Sequence, residues 1–121
     1  MVIEPLNRTE SNLINTVREA EELRKAVGEE YLQTLADSYH FWLGSGSLDE
    51  LREAGGHLRH VHVARTLGRG LPAAGDECDW QGFFAVLREI GYDGDVSIEA
   101  KAPETDCDAA LGRSLAFLRS I

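Results

Sequence analysis

Cysteine is scarce in this chain of 121 residues: Cys78 and Cys107 are far apart, each in an acidic, loop-like stretch. That argues against a disulfide scaffold or a C-x-x-C motif and leaves both as free thiols. Long apolar runs are missing too, so no segment approaches the ~20 apolar residues that a bilayer-spanning helix needs. The opening residues, MVIEPLNRTE, lack the basic and apolar regions of a secretory signal. A soluble, cytoplasmic protein with no membrane contact is the expectation. Basic residues are also in deficit, with 12 Lys plus Arg against 21 Asp plus Glu and a formal charge of -9. That is the wrong sign for a protein whose partner is a phosphate backbone, so nucleic acid is not an expected partner.

What is present is enough apolar content for a core, 43%, in a length that suits one domain spanning residues 1–121. A β-rich run, a loop and an amphipathic helical pattern recur four times. The first unit has a strand at Val2–Glu4 and a helix with Leu13, Val17, Ala20, Leu23 and Val27 on one face, ended by Gly28. In the second, the buried strand Leu32–Asp37 leads through an aromatic and glycine-rich loop to a helix opened by Ser47. Glu50 follows three residues later, a capping-box pattern. The third has strand Leu58–Ala64, a long loop from Arg65 to Asp79, and a helix marked by Trp80, Phe83, Phe84, Leu87 and Ile90, with Gly91 as its stop. The fourth has strand Val96–Glu99 and a helix on which Leu111, Leu115 and Leu118 share a face.

Alternating strands and helices predict an α/β fold, a parallel sheet with outer helices and right-handed crossovers. Four units make half of an eight-unit barrel, which typically takes about 250 residues. The expectation is therefore a (βα)4 half of a TIM barrel, completed by self-association or belonging to a longer protein, because an uncovered parallel edge strand is a liability.

In this architecture sites lie at the carboxyl ends of the strands. Glu4, Asp37, His62 and Glu99 each stand at such an end, in MVIEP, LQTLAD, HVHVA and DVSIE. Taken singly, an acidic residue there is an ordinary helix cap or surface charge. Four in equivalent positions point to one metal site. Oxygen-rich donors with one imidazole suit Mn, Mg or Co, with Zn as a further candidate, better than they suit a structural zinc.

The stretch EPLNRTESNLINT, followed by LADSYHFW, HVHVA and GYDGDVSIE, resembles the xylose isomerase-like TIM-barrel superfamily of sugar isomerases and epimerases. The likeness is nearest to ketose 3-epimerases and inosose-type isomerases, and it covers the C-terminal half of a family member. The resemblance implies that Glu4, Asp37, His62 and Glu99 ligate one divalent metal. It further implies that Glu4 and Glu99 are the catalytic pair, one removing a proton beside a carbonyl and the other returning it through a cis-enediolate. Glu10, His40 and Arg69 are the implied substrate-binding or supporting residues. The run ARTLGRGLP departs from the family, placing Arg65 where an acidic residue is common, which favours a phosphate or carboxylate on the substrate. A small-molecule sugar is the implied partner, with a homo-oligomer expected. The rival reading is an inactive, self-associating half-barrel. A multi-zinc nuclease of the same superfamily would need more than the four histidines present.

Other residues have plainer readings. His60 shares a strand face with His62 and is expected to be a hydrogen-bonded interior histidine. His57, after Gly55-Gly56, reads as a solvated loop residue. Phe41 and Trp42 either wall the site or pack on the neighbouring unit. Asn7 and Arg8 either bond the strand-end carboxylates or shape their loop.

Overall fold

The four apolar runs form one parallel sheet in a computed structural model that describes residues 1–121. Strands β1 (Val2–Ile3), β2 (Gln33–Asp37), β3 (Leu58–Val63) and β4 (Val96–Ile98) lie in the order β1-β2-β3-β4, every neighbouring pair parallel. Each strand sits beside its predecessor, so every crossover steps in the same direction. A doubly wound sheet reverses at a switch point, whereas an arc of a barrel does not. The strands end slightly earlier than expected, which leaves Glu4, Ala64 and Glu99 just beyond the paired residues.

Helix α1 (Val17–Val27) begins later than the apolar pattern suggests, because a true capping box sits at Thr16. The Thr16 hydroxyl accepts from the Glu19 N–H at 3.1 Å, and Glu19 Oε2 accepts from the Thr16 N–H at 3.2 Å. Leu13 therefore falls outside the helix and is 81% exposed. Gly28 ends α1 in the left-handed region, φ 73°, a conformation that glycine adopts without Cβ strain.

The second unit holds two corrections. Residues 38–43, expected as loop, form the short helix α2 (Ser38–Leu43), capped by the Asp37 carboxylate, which accepts from the Tyr39 N–H at 2.8 Å. Helix α3 (Leu48–Ala54) does start after Ser47, but the Ser47 side chain makes no capping bond and Glu50 is buried. The S-x-x-E spacing marks the helix start without forming the box.

Helix α4 (Trp80–Glu89) is capped by Asp79, whose Oδ1 accepts from the Gly82 N–H at 2.9 Å. Its Trp80, Phe83, Val86 and Leu87 join Ala36, Val61, Val63, Phe41, Leu51 and Ala54 in the core on the helix-covered side of the sheet. Phe41 packs edge-on against Phe83 at 5.7 Å between ring centroids, with Trp42 at 6.1 Å. The pair thus packs on the neighbouring unit. On α5 (Cys107–Leu118), Leu118 packs against the core while Leu111 and Leu115 stay more than a third exposed. No helix of the chain is long and apolar enough to cross a membrane.

The two Ser/Thr helix starts separate in stability. Thr16→Ala should cost about 1 kcal/mol in urea unfolding, the usual loss of a bonded N-cap. Ser47→Ala should stay within about 0.5 kcal/mol, as for a surface change that breaks no bond.

Candidate functional site

Register brings the strand-end residues together. Asp37 and His62 are directly paired, and His62 also pairs with Ser97, so Glu99 lies two residues further along β4. On the other side Ile3 pairs with Thr34, which leaves Glu4 two residues behind the level of Asp37. Side chains alternate across a sheet, so these steps of two keep all four on one face. The drift from β1 to β4 averages about one residue per strand, the stagger of an eight-stranded barrel with shear 8. Strand tilt in such a barrel lifts the four groups to a common height.

The resulting cluster is tight: one ligand atom from each of Glu4, Asp37, His62 and Glu99 lies within 4.8 Å of every other. His62 Nδ1 is the hub, 3.4 Å from Glu4 Oε1, 3.8 Å from Asp37 Oδ2 and 3.2 Å from Glu99 Oε2. It is buried, and no group satisfies it with a proper hydrogen bond. Asp37 is wholly covered, whereas the Glu4 and Glu99 side chains remain partly exposed.

A single guanidinium closes the cluster. Arg69 reaches Glu99 Oε2 at 2.6 Å and Asp37 Oδ2 at 3.1 Å, with Glu10 Oε2 at 3.9 Å. It rests 4.8 Å over the Tyr39 ring, a cation–π contact. Arg69 has φ 51°, a left-handed conformation that costs a side-chain-bearing residue roughly 1–2 kcal/mol. The Lys101 N–H holds it there, donating to the Arg69 carbonyl at 2.7 Å. Strain held at such a position is typical of a functional site.

Burial pushes the Asp37 carboxyl above its usual range, against the opposing Tyr39 N–H bond. Burial acts on Glu99 in the same sense, but a hydrogen bond shared with Asp37 and the charges of His62 and Arg69 outweigh it and hold Glu99 low. For Arg69, burial is overcome by Asp37 and Glu99, which raise it.

Behind the cluster, Asn7 and His40 are both buried. The Asn7 N–H donates to His40 Nδ1 at 3.1 Å, and the Asn7 amide nitrogen lies 3.0 Å from Glu10 Oε1 and 2.9 Å from His40 Nδ1. Asn7 thus fixes the loop that presents Glu10, and it bonds no strand-end carboxylate. Arg8 faces outward, 3.9 Å from Glu19. His60 Nε2 lies 3.1 Å from Ser97 Oγ, the interior bond expected of it, and its ring packs edge-on to His62. His57 is half exposed and bonded to Arg24. Two contributors were not singled out in the sequence. Tyr39 carries the aromatic face under Arg69, and Ser97 bonds His60. The only signal for either was its place beside a strand-end ligand.

A sheet wound in one direction, with a histidine and three carboxylates gathered at its carboxyl end in a group that could hold a metal ion, defines an arc of the TIM-barrel class. The chain belongs to the xylose isomerase-like TIM-barrel family, whose model matches residues 1–121. It is 33% identical over 120 residues to a D-psicose 3-epimerase of Ruminiclostridium cellulolyticum, covering 98% of this chain and 39% of that enzyme. A 3-dehydro-D-guloside 4-epimerase of Escherichia coli is 32% identical over 98% of this chain and 45% of its own length. A crystal structure of a D-psicose 3-epimerase in the presence of D-fructose superposes with a TM-score of 0.88 and 27% identity, over 99% of this chain and 48% of that one. The chain thus spans less than half the length of these relatives, as a half-barrel would.

Asn7→Ala should destabilise the chain by about 1–3 kcal/mol in denaturant unfolding, because it strips the side-chain partner from a buried imidazole. Asn7→Asp keeps the shape but replaces the donor with a carboxylate facing Glu10 Oε1 and the accepting His40 Nδ1, so it should recover none of that loss.

Proposed function

We propose that this chain carries the metal-binding, proton-transferring part of a sugar isomerase or epimerase site, acting beside the carbonyl of a ketose or polyol-derived substrate. The observation that supports it is the convergence of three carboxylates on the buried, unsatisfied Nδ1 of His62. Donor atoms around one Mn, Mg or Co ion stand about 3–4.2 Å apart for bonds near 2.1 Å. The cluster fits that spacing after small side-chain movements, and zinc is also accommodated. A divalent ion held by Glu4, Asp37, His62 and Glu99 would polarise the substrate oxygens and so acidify the neighbouring carbon.

The remaining chemistry belongs to the side chains. Glu4 and Glu99 come from the outer strands β1 and β4, so they flank a substrate placed over β2 and β3. Both keep some exposure, so either can meet a substrate placed there. One removes the proton and the other delivers it from the opposite side, which inverts the carbon. Asp37 is fully covered and tied to the Tyr39 N–H, so it serves as a fixed ligand. Arg69 and Glu10 stand at the edge of the cluster, positioned for substrate hydroxyls. His40 acts through Asn7 by holding the Glu10 loop in place.

A four-strand arc leaves its ligand set on an open face, and enclosing a substrate requires a second arc. That arc is either a second copy of this chain or another segment of a longer protein, and exposed apolar residues mark where it would pack. Val2 and Val96 on the edge strands, with Leu111 and Leu115 on α5, are exposed apolar residues at the two open ends of the sheet. A two-fold axis along the barrel would pair β1 of one copy with β4 of the other in parallel. The second reading is an inactive half-barrel that associates in the same way.

Three measurements test this reading. Manganese at a hundredfold excess over its dissociation constant should stabilise the chain by about 2.7 kcal/mol in thermal or urea unfolding. His62→Ala should abolish that gain, and an unchanged gain would place the ion elsewhere. Glu99→Gln should lower epimerisation, followed by solvent deuterium entering the sugar, by about 100-fold or more. The mass by light scattering should stay at that of the parent protein. Unaltered turnover would refute the acid–base role, and a monomeric parent would refute self-association.

A further inference from the structure

A second cleft, of about 630 Å³, is lined by residues on either side of Arg69 but not by Arg69 itself. Its lining includes apolar surface from Leu71, Pro72 and Phe117, together with the cations Arg65, Lys101 and Arg113. No Asp or Glu lines it, in a chain where acidic residues outnumber basic ones 21 to 12. Keeping carboxylates out of one concave region while gathering cations there creates a local positive field against the net charge. The volume is in the range of about 300–1,000 Å³ typical of small-molecule sites.

Arg65 is built into this cleft. Its Nε is buried with no hydrogen-bond partner. The guanidinium lies flat on Gly70, where a Cβ would come within 2.6 Å of Nε. The Arg65 N–H donates to the Gly70 carbonyl at 3.0 Å, so main chain and side chain lock the same turn. Gly70 in turn bridges to Lys101, which extends the β3–β4 pairing into the cleft wall. Lys101 makes no ion pair, and the single partner of Arg113 is an exposed Asp106 at 3.8 Å. Glu77 is the acidic neighbour of Arg65, but it is occupied by the Thr66 hydroxyl and the Leu67 N–H and does not line the cleft.

We propose that this cleft binds a phosphorylated small molecule, its phosphate held by Arg65, Lys101 and Arg113 and its carbon skeleton laid on Leu71 and Phe117. Guanidinium and ammonium groups bond phosphate oxygens with charge-assisted hydrogen bonds. The phosphate comes from one of two sources: the sugar being turned over, reaching past Arg69 into the carboxylate site, or a separate phosphorylated effector.

The test is calorimetric titration of the full chain, first without metal. Inorganic phosphate and fructose 6-phosphate should bind, and free fructose at the same concentration should not. Affinity should fall with added NaCl, since exposed cations are screened. The Lys101→Ala/Arg113→Ala double variant alters exposed side chains only and should lose at least about tenfold in phosphate affinity, as should Arg65→Met. Absence of phosphate binding, or equal affinity in the double variant with an unchanged circular dichroism spectrum, would overturn the proposal. Manganese then separates the sources. It tightens fructose 6-phosphate but not inorganic phosphate if one molecule spans both sites, and it tightens neither if the phosphate belongs to an effector. Failure of the metal reading would appear in the stability measurement with manganese, leaving phosphate binding intact.

Discussion

Mutual repulsion among three carboxylates gathered at one point is the constraint that the rest of the structure answers. Two like charges 4 Å apart cost about 4 kcal/mol at an effective dielectric near 20, and here Asp37 is in addition stripped of water. The fold meets that cost with rigid geometry. Asp37 is pinned by the Tyr39 N–H at the start of α2, and Arg69 spans Asp37 and Glu99 from above Tyr39. The opposite displacements of Asp37 and Glu99, one carboxyl pushed up and the other held low, are what a pair sharing one hydrogen bond under excess negative charge should show. A divalent cation answers the same excess more completely than one guanidinium.

The parallel sheet makes this crowding affordable to assemble. Each of the four side chains stands where its strand ends, so the backbone beneath it is already fixed by ladder bonds before the charges meet. The even-numbered steps in register then keep Glu4, Asp37, His62 and Glu99 on one face. A slip of one residue in any strand would turn its polar end residue, a carboxylate or the His62 imidazole, toward the helices and the apolar core.

These features differ in how far the chain betrays them. The strand-end cluster is legible because a polar ionisable group after an apolar run is unusual, and its recurrence in four units reports a shared environment. Helix α2 is not legible: SYHFWL carries no amphipathic period over six residues, and its cap is Asp37, already accounted for as a ligand. Spacing alone also cannot tell Thr16–Glu19, which forms both capping bonds, from Ser47–Glu50, where Glu50 turns into the protein. The exposed Leu13 follows from that choice of cap. Tyr39 escapes for a further reason, since it acts on Arg69, a residue far away in sequence that only the fold brings near, and the pairing of Asn7 with His40 is hidden in the same way.

The turn between β3 and α4 joins these themes. Arg69 faces the acidic cluster while Arg65, four residues earlier, faces the cleft without acids. What divides them is a segment with two left-handed residues, Gly68 and Arg69, closed by Arg65 on Gly70 and fastened to Lys101. The Glu77 carboxylate pins its outer edge through Thr66 and Leu67. Arg65 packs on the same turn that aims Arg69 at Asp37 and Glu99, so the acidic cluster and the cation-lined cleft are two faces of one short bonded segment.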